Sequence, residues 1–282
     1  MSGTKNTWTV RSMVAWMQAD FERRSIESAR LEADLLVAHA LGVKRIALFL
    51  DPDRPLVDGE LAKIRALVER RRAREPIAYI LGEREFYGRP FEVNRDVLIP
   101  RPDTETLIDL AKEFLASAPE GRVLDLCTGS GAIAITLALE AKRAAVATDV
   151  SEAALSVARR NAARHGVAVE FAQGDLFAAL TPEKFACVTV NPPYIPSGDI
   201  AGLDADVRDH EPRLALAGGA DGLDFYRRIA RDVRAYLADG GALFMEIGIG
   251  QAADVCALFA GFAEVSVARD LSGMERVVSA RC

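Results

Sequence analysis

The tetrapeptide Asn191-Pro192-Pro193-Tyr194 is the most specific chemical signal in this chain of 282 residues. An amide or aromatic amino nitrogen is a poor nucleophile because its lone pair is delocalised into the attached π-system. Two acceptors on its two N–H groups would fix its plane and favour electron density on nitrogen: the side-chain oxygen of Asn191 and the backbone carbonyl of Pro192. The two prolines stiffen the loop so that this carbonyl points outward. Pro193 and Tyr194 complete the cradle, and Tyr194 offers a flat face for a planar group. Asn191, Pro192 and Tyr194 are the candidate catalytic residues, and all four are candidate substrate contacts. No dedicated base is needed early, because a proton can leave after a group has been transferred to nitrogen.

Three further segments supply a site for the group donor. Asp125-Leu126-Cys127-Thr128-Gly129-Ser130-Gly131 carries two glycines that let the chain turn and bring its backbone against a ligand. Gly129-x-Gly131 alone is a generic nucleotide loop. Asp149 follows the next apolar run and is placed to accept from two ribose hydroxyls. Gly174-Asp175-Leu176-Phe177 follows the third, an acid for an exocyclic adenine amine and two apolar side chains for the ring. Each acid alone could simply cap the next helix. Together they describe an adenosine site, and beside the Asn191 cradle they point to S-adenosyl-L-methionine as the methyl donor. A glycine turn with an acid about twenty residues on is also the dinucleotide fingerprint of nicotinamide oxidoreductases. That reading leaves 191–194 unexplained.

These segments sit at the ends of regularly alternating elements. Apolar strands are expected at 122–126, 144–148, 167–172, 185–190 and 242–247. Helices are expected at 132–140 and from the Ser151 cap to His165, closed by Gly166. Strands separated by helices of this length make βαβ units, an α/β fold with a parallel sheet, and such sheets bind ligands at the carboxyl ends of their strands. Ahead of them, Asp103 or Thr104 can cap a helix reaching about Ser117. Residues 86–100 read as an aromatic hairpin and an extended proline segment linking two domains. Residues 1–85 form a helical domain, with stripes over 27–41, stopped by Gly42, and over 61–73. The arginine run Arg70-Arg71-Arg72-Ala73-Arg74 reads as a solvated last turn favoured by the helix dipole. Trp8 and Trp16 suit the core of this bundle, and His39 reads as packed within it. His165 reads as a helix-end dipole contact, and His210-Glu211 is left without a role.

Composition restricts the alternatives. Residues 1–85 carry 15 Lys and Arg against 13 Asp and Glu, whereas residues 86–282 carry 20 against 28. An acidic catalytic half is a poor surface for duplex DNA, whose binding depends on phosphate neutralisation. The four cysteines, Cys127, Cys187, Cys256 and Cys282, are scattered, and the three histidines have no zinc-ligand spacing. No metal is expected, and the compartment is reducing. The first ten residues lack the layout of a signal peptide and no apolar run reaches membrane length, so a cytoplasmic protein is expected.

The chain resembles the release factor glutamine methyltransferases, the HemK or PrmC type. The resemblance rests on Glu85-Phe86-Tyr87-Gly88, the segment from Ile99 to Glu105, the Asp125 to Gly131 loop, Asn191 to Tyr194, Glu211-Pro212 with Gly218 to Leu223, and the closing Arg269 to Val278. It implies a helical N-terminal substrate-recognition domain over 1–85, a hairpin linker over 86–100, and a class I, Rossmann-like methyltransferase domain over 101–282. That domain would have a seven-stranded, mostly parallel sheet ending in an antiparallel hairpin. It implies S-adenosyl-L-methionine bound by Cys127, Thr128, Gly129, Ser130, Gly131, Asp149, Asp175 and Leu176, with Asn191 reaching cofactor and substrate alike. The product would be S-adenosyl-L-homocysteine. The implied substrate is the glutamine side-chain amide (N5) of the Gly-Gly-Gln motif in peptide-chain release factors, with neither membrane nor nucleic acid as partner. Cys127 stands where many members have Gly, which suggests that its φ need not be positive.

Alternatives remain. A sister type that methylates a glutamine of a large-subunit ribosomal protein is similar around Cys127 to Gly131 and His210-Glu211-Pro212. Residues 101–105 and the final hairpin favour the release-factor type. A nucleic-acid amino methyltransferase, acting on adenine N6 or guanine N2, would use the same cradle. It would normally bring a target-reading domain and a basic groove, whereas this sequence shows neither a long insertion nor a basic catalytic half. A domain that binds the adenosyl ligand without turnover would not need the intact cradle.

Overall fold

The computed structural model describes residues 7–282. The expectation about a signal peptide falls largely on residues 1–6, outside that range. Among the described residues no helix is long and apolar enough to cross a membrane. The chain divides at Leu81/Gly82 into two compact units.

The first unit contains α1 (Val10–Arg23), α2 (Ala29–Leu41), α3 (Arg45–Leu50), α4 (Asp58–Arg72) and α5 (Ile77–Leu81). Helix α1 starts where Thr9 and Ser12 cap each other's backbone N–H groups. It buries Val10, Met13, Val14, Met17 and Phe21, a stripe of helical period, against Ala33, Leu36 and Val37 of α2 and Ile64 and Val68 of α4. Gly42 ends α2 in the left-handed conformation, as its position suggested.

The arginine run is only in part a solvated turn: Arg70 is exposed, but the charges are paired. Arg71 is 3% exposed and its Nε donates to Glu32 at 2.5 Å. Arg72 forks onto Asp20, at 2.9 Å through both Nε and Nη2, and Arg70 forks onto Glu75, at 2.8 Å through the same two atoms. The charges tie α4 to α1 and α2 from inside. Trp8 and Trp16 lie on the surface, not in the core: they pack edge-to-face with centroids 6.0 Å apart, and Arg72 covers Trp16. His39 is likewise exposed, on the outer face of α2.

The second unit opens with an antiparallel hairpin, β1 (Glu83–Phe86) and β2 (Arg89–Glu92). Tyr87 and Gly88 both have positive φ, as a tight two-residue hairpin turn requires. The hairpin starts earlier than expected and is no free linker. Phe86 and Phe91, 6.0 Å apart, are buried with Leu107 and Ile108 of α6 (Glu105–Leu115). Glu105 at the head of α6 accepts the Tyr87 N–H at 2.8 Å. Burial of both rings places the hairpin's aromatic face in the second unit's core.

There follow β3 (Val123–Leu126), α7 (Ala132–Glu140), β4 (Ala145–Asp149), α8 (Glu152–Arg164), β5 (Val169–Gln173), β6 (Phe185–Val190), α9 (Ala205–Arg208), α10 (Asp224–Asp232), β7 (Leu237–Glu246), α11 (Ala252–Leu258), β8 (Glu264–Arg269) and β9 (Glu275–Arg281). The sheet order is β5-β4-β3-β6-β7-β9-β8, and β9 alone runs antiparallel to its neighbours. This is the seven-stranded, mostly parallel sheet expected. Strands β3 and β6 are buried along their whole length, as strands covered on both faces must be. The chain winds outward from β3 through β4 to β5, then returns to β6 and β7 on the other side. The switch point therefore lies between β3 and β6, where a crevice opens at the carboxyl ends. His165 at the end of α8 does not merely face a dipole: its Nε2 meets the Pro90 carbonyl at 3.0 Å and its ring packs on Phe91.

Candidate active site

A cavity of about 250 Å³ occupies that crevice. Of the residues expected at the cofactor, Cys127, Thr128, Gly129, Ser130, Asp149, Asp175, Leu176 and Asn191 line it, and Gly131 does not. Gly131 has φ +80°, and a Cβ there would come within 2.9 Å of Ile135 Cδ1 and 3.1 Å of Ala158 Cβ. It is glycine so that α7 can pack closely on α8. At Gly129 a Cβ would enter open space, which leaves bare backbone facing the cavity.

Cys127 has φ +54°, so the inference that this position avoids the left-handed region is wrong. A cysteine tolerates here a conformation that glycine adopts freely. Burial pushes its thiol well above the ordinary value, which keeps it protonated and inert. Behind the loop, buried Asp125 accepts from Thr128 Oγ1 at 2.6 Å and Thr189 Oγ1 at 2.8 Å, and burial lifts its carboxyl to about 7. This acid pins the loop to β6.

Asp149 ends β4. Its Oδ2 accepts the Gly129 N–H and its Oδ1 the Ser151 N–H, both at 2.9 Å. It therefore holds the glycine loop, and each oxygen keeps a lone pair for a ligand. Burial raises its carboxyl above the usual range, and the backbone donors pull it back. Asp175 pairs with Arg228 of α10 at 2.7 Å. Leu176, at φ +53°, turns its side chain to the cavity while its carbonyl accepts from Thr148 Oγ1. Phe177 does not share that wall. It stacks on Tyr236 with centroids 4.6 Å apart, and Phe225, overlooked in the sequence, is the aromatic lining residue on that side of the chain.

At the end of β6, Asn191 and Pro193 line the cavity, whereas Pro192 and Tyr194 are not among its lining residues. Asn191 Nδ2 lies 3.4 Å from Thr104 Oγ1, and Thr104 Oγ1 donates to Glu246 Oε2 at 2.5 Å. Tyr194 OH donates to Glu246 Oε1 at 3.4 Å, and burial raises its phenol pKa. Glu246, at the end of β7, is 1% exposed. Burial raises its carboxyl, with the Thr104 hydroxyl and then the Arg276 charge opposing. Arg276 bridges Asp103 at 3.1 Å and Asp270 at 3.2 Å. Thr104 makes no capping bond, contrary to expectation: it ends the 3-10 turn Pro102–Thr104 that runs into α6, at helical φ −64° and ψ −19°, and its hydroxyl turns to Glu246. Glu211 is buried and accepts from Arg101 Nη2 at 2.5 Å and the Ile99 N–H at 3.3 Å, so it anchors the segment that carries Arg101 to the cavity wall.

From sequence alone Asp125 has no role of its own within its loop, Thr104 stands only as a helix cap, and Glu246 is unmarked. An acid closing the apolar run Ala242 to Ile247 was a usable signal for Glu246. The acceptors Asp149 and Asp175, the bare backbone at Gly129 and the apolar side chains of Leu176 and Ile133 make a set that fits an adenosine-bearing methyl donor.

Residues 12–82 match the PrmC N-terminal domain, and residues 103–202 match the methyltransferase small domain. The release factor glutamine methyltransferase of Geobacter sulfurreducens is 44% identical over 285 residues, covering 100% of this chain and 99% of its own. That of Cereibacter sphaeroides is 47% identical over 261 residues, covering 91% and 92%. Among solved structures, the 16S rRNA methyltransferase RsmC of T. thermophilus, in complex with AdoMet and guanosine, gives a TM-score of 0.52 at 18% identity. That match covers 71% of this chain and 49% of RsmC, a likeness of fold alone. Fold and site define a Rossmann-like methyltransferase. Within that class, the chain belongs to the release factor glutamine methyltransferase family.

Proposed function

We propose that this methyltransferase transfers a methyl group from S-adenosyl-L-methionine to the side-chain amide nitrogen (N5) of the glutamine in the Gly-Gly-Gln motif of peptide-chain release factors. The observation that carries the reading is Asn191, an amide on the cavity wall at the end of β6, with the cofactor-type acceptors of β4 and β5 lining the same space. When bound, S-adenosyl-L-methionine supplies an electrophilic methyl group on a sulfonium and is left as S-adenosyl-L-homocysteine. Asp149 would accept the ribose hydroxyls, Asp175 the adenine amine, and Leu176 would pack on the ring, with Cys127, Thr128, Gly129 and Ser130 forming the wall beside them. Asn191 Oδ1 and the Pro192 carbonyl would each accept one N–H of the glutamine amide, holding its plane, with Pro193 and Tyr194 shaping the loop. Positioning of this kind supplies a large part of the rate in a transfer that needs no early base.

A loop presenting glutamine beside neighbouring glycines is slim enough to enter such a cavity. The N-terminal unit would bind the remainder of the release factor, and the work would be done in the cytoplasm, on protein rather than nucleic acid. The test incubates the full chain with methyl-labelled S-adenosyl-L-methionine and a release factor, beside a copy whose Gly-Gly-Gln glutamine is replaced. Label on the intact factor alone is the expected result. No label on either, with cofactor binding confirmed by calorimetry, overturns the assignment and redirects the search to a ribosomal protein and then to RNA.

A further inference from the structure

We propose that Thr104 and Glu246 are positioning residues that act as a hydrogen-bond relay, fixing which end of the Asn191 amide faces the substrate. The inference deepens the functional reading above and rests on it. The two ends of an asparagine side chain are nearly equal in size, so a half-turn about its terminal bond exchanges an acceptor for a donor at almost no steric cost. A cradle that must accept an N–H works only in one of the two orientations. Some neighbour has to choose it.

The neighbour is Thr104, whose Oγ1 lies 3.4 Å from Asn191 Nδ2. A hydroxyl by itself is indifferent, because it can donate or accept. Here the geometry gives its single proton to Glu246 Oε2 at 2.5 Å, while Tyr194 OH donates to the other oxygen, and in the carboxylate form Glu246 only accepts. Toward Asn191, Thr104 therefore presents a lone pair. The Nδ2 end of Asn191 must face it, and Oδ1 is left for the cavity. A flipped Asn191 would set oxygen against oxygen.

The relay is rigidly built. Glu246 closes β7 in register with Val277 of β9, and its carbonyl accepts from the buried Tyr226 hydroxyl at 2.8 Å. Its other oxygen takes Tyr194 OH. Burial works against the charged form of Glu246; the Thr104 hydroxyl, then the Arg276 guanidinium (itself held by Asp103 and Asp270) and the Tyr194 hydroxyl work for it. A buried carboxylate is costly to keep, and a threonine at a helix head ordinarily caps the helix. Both residues give up the usual arrangement for the one that orients Asn191.

The test uses Thr104→Val, Thr104→Ser and Glu246→Gln in the full chain. Three quantities are measured: cofactor affinity, kcat and KM with the release factor, and the side-chain amide resonances of protein labelled with ¹⁵N at asparagine. The chain has four asparagines, and Asn191→Ala assigns the resonance of interest. Thr104→Val is expected to lower kcat on the order of 10- to 100-fold, as mispositioning does, with cofactor affinity nearly unchanged. The Asn191 amide protons should shift and exchange faster, and Thr104→Ser should restore both readouts. Glu246→Gln, an isosteric change that admits the reversed relay, should move them in the same direction and decides the matter if Thr104→Val does not fold. An unmoved Asn191 resonance in both variants overturns the relay. So does an unchanged kcat, or equal loss of cofactor binding. If the wild-type chain labels no release factor, the functional reading fails by itself, and the amide resonance still decides the relay.

Discussion

Replacing Asp125 by Asn should make the second unit more stable at alkaline pH than at acid pH, relative to the wild type. Asp125 is fully buried in β3, and its carboxyl meets the hydroxyls of Thr128 and Thr189 and the backbone N–H of Ala134. Burial is the largest influence on its carboxyl and carries it from 3.8 to about 7. The folded protein thus holds this proton at pH values where the unfolded chain has released it. The stability contributed by the protonated acid is complete below about pH 4 and is lost as the pH rises through 7. At about 1.4 kcal/mol for each tenfold change, the full span is about 4 kcal/mol, of which about 2–3 kcal/mol falls between pH 5 and pH 8. Asparagine keeps the shape and cannot ionise, so the stability of the variant minus that of the wild type should rise by that amount across the interval. Tryptophan fluorescence is the wrong probe, because Trp8 and Trp16 both belong to the first unit. Urea-dependent hydrogen exchange of the β3 and β6 amides reads the second unit directly. A variant-minus-wild-type difference that stays constant with pH, or falls as pH rises, would refute the reasoning and mean that Asp125 folds as the carboxylate.

Asn191→Ala should leave cofactor affinity nearly intact while reducing kcat on the order of 10²–10³-fold, the usual scale for one oriented polar group at a reacting centre. Calorimetry and labelled-methyl kinetics check it, and parallel loss of binding would remove Asn191 from its role. Asp149→Ala should instead weaken cofactor binding by about 2 kcal/mol, roughly 30-fold, because it removes ligand acceptors and frees the Gly129 N–H. An unchanged Kd would sink that assignment. Arg71→Met should destabilise the first unit by about 3–5 kcal/mol by leaving Glu32 buried and unpaired. Adding Glu32→Leu should recover most of it in tryptophan-monitored unfolding, and a single variant as stable as the wild type would contradict the internal ion pair.

What could be read from the sequence was local. Asp149, Asp175 and Asn191 each follow an apolar strand directly, so position along the chain alone puts them at the carboxyl ends of a parallel sheet. Ser151 and Gly166 bracket α8 by short-range rules of the same kind, and Ser151 does cap Ala154. Gly131 shows where such reading stops. Its glycine was assigned to the ligand because the motif is known for that, whereas its missing Cβ makes room for Ala158, a residue 27 positions later on another helix.

The remaining misreadings have the same origin in contacts that span the chain. Charge at the end of a helix is ordinarily solvated, and nothing near Arg71 in sequence indicates that Glu32 will be buried against it. Thr104 looks like a cap because threonine before a helix usually is one. Its hydroxyl was claimed by Glu246, a residue 142 positions away, once β7 was laid beside β6. That competition is informative about function. The turn Pro102–Thr104 already carries helical backbone into α6, so the threonine hydroxyl is free of the cap's geometry and is held instead by a partner that tertiary structure fixes. Here the partner is a buried carboxylate at the end of a strand paired on both sides, and the atom on the other side of the threonine is the amide of Asn191. Where a local rule is broken by a long-range bond that ends at a reacting group, the broken rule marks the second layer of the site.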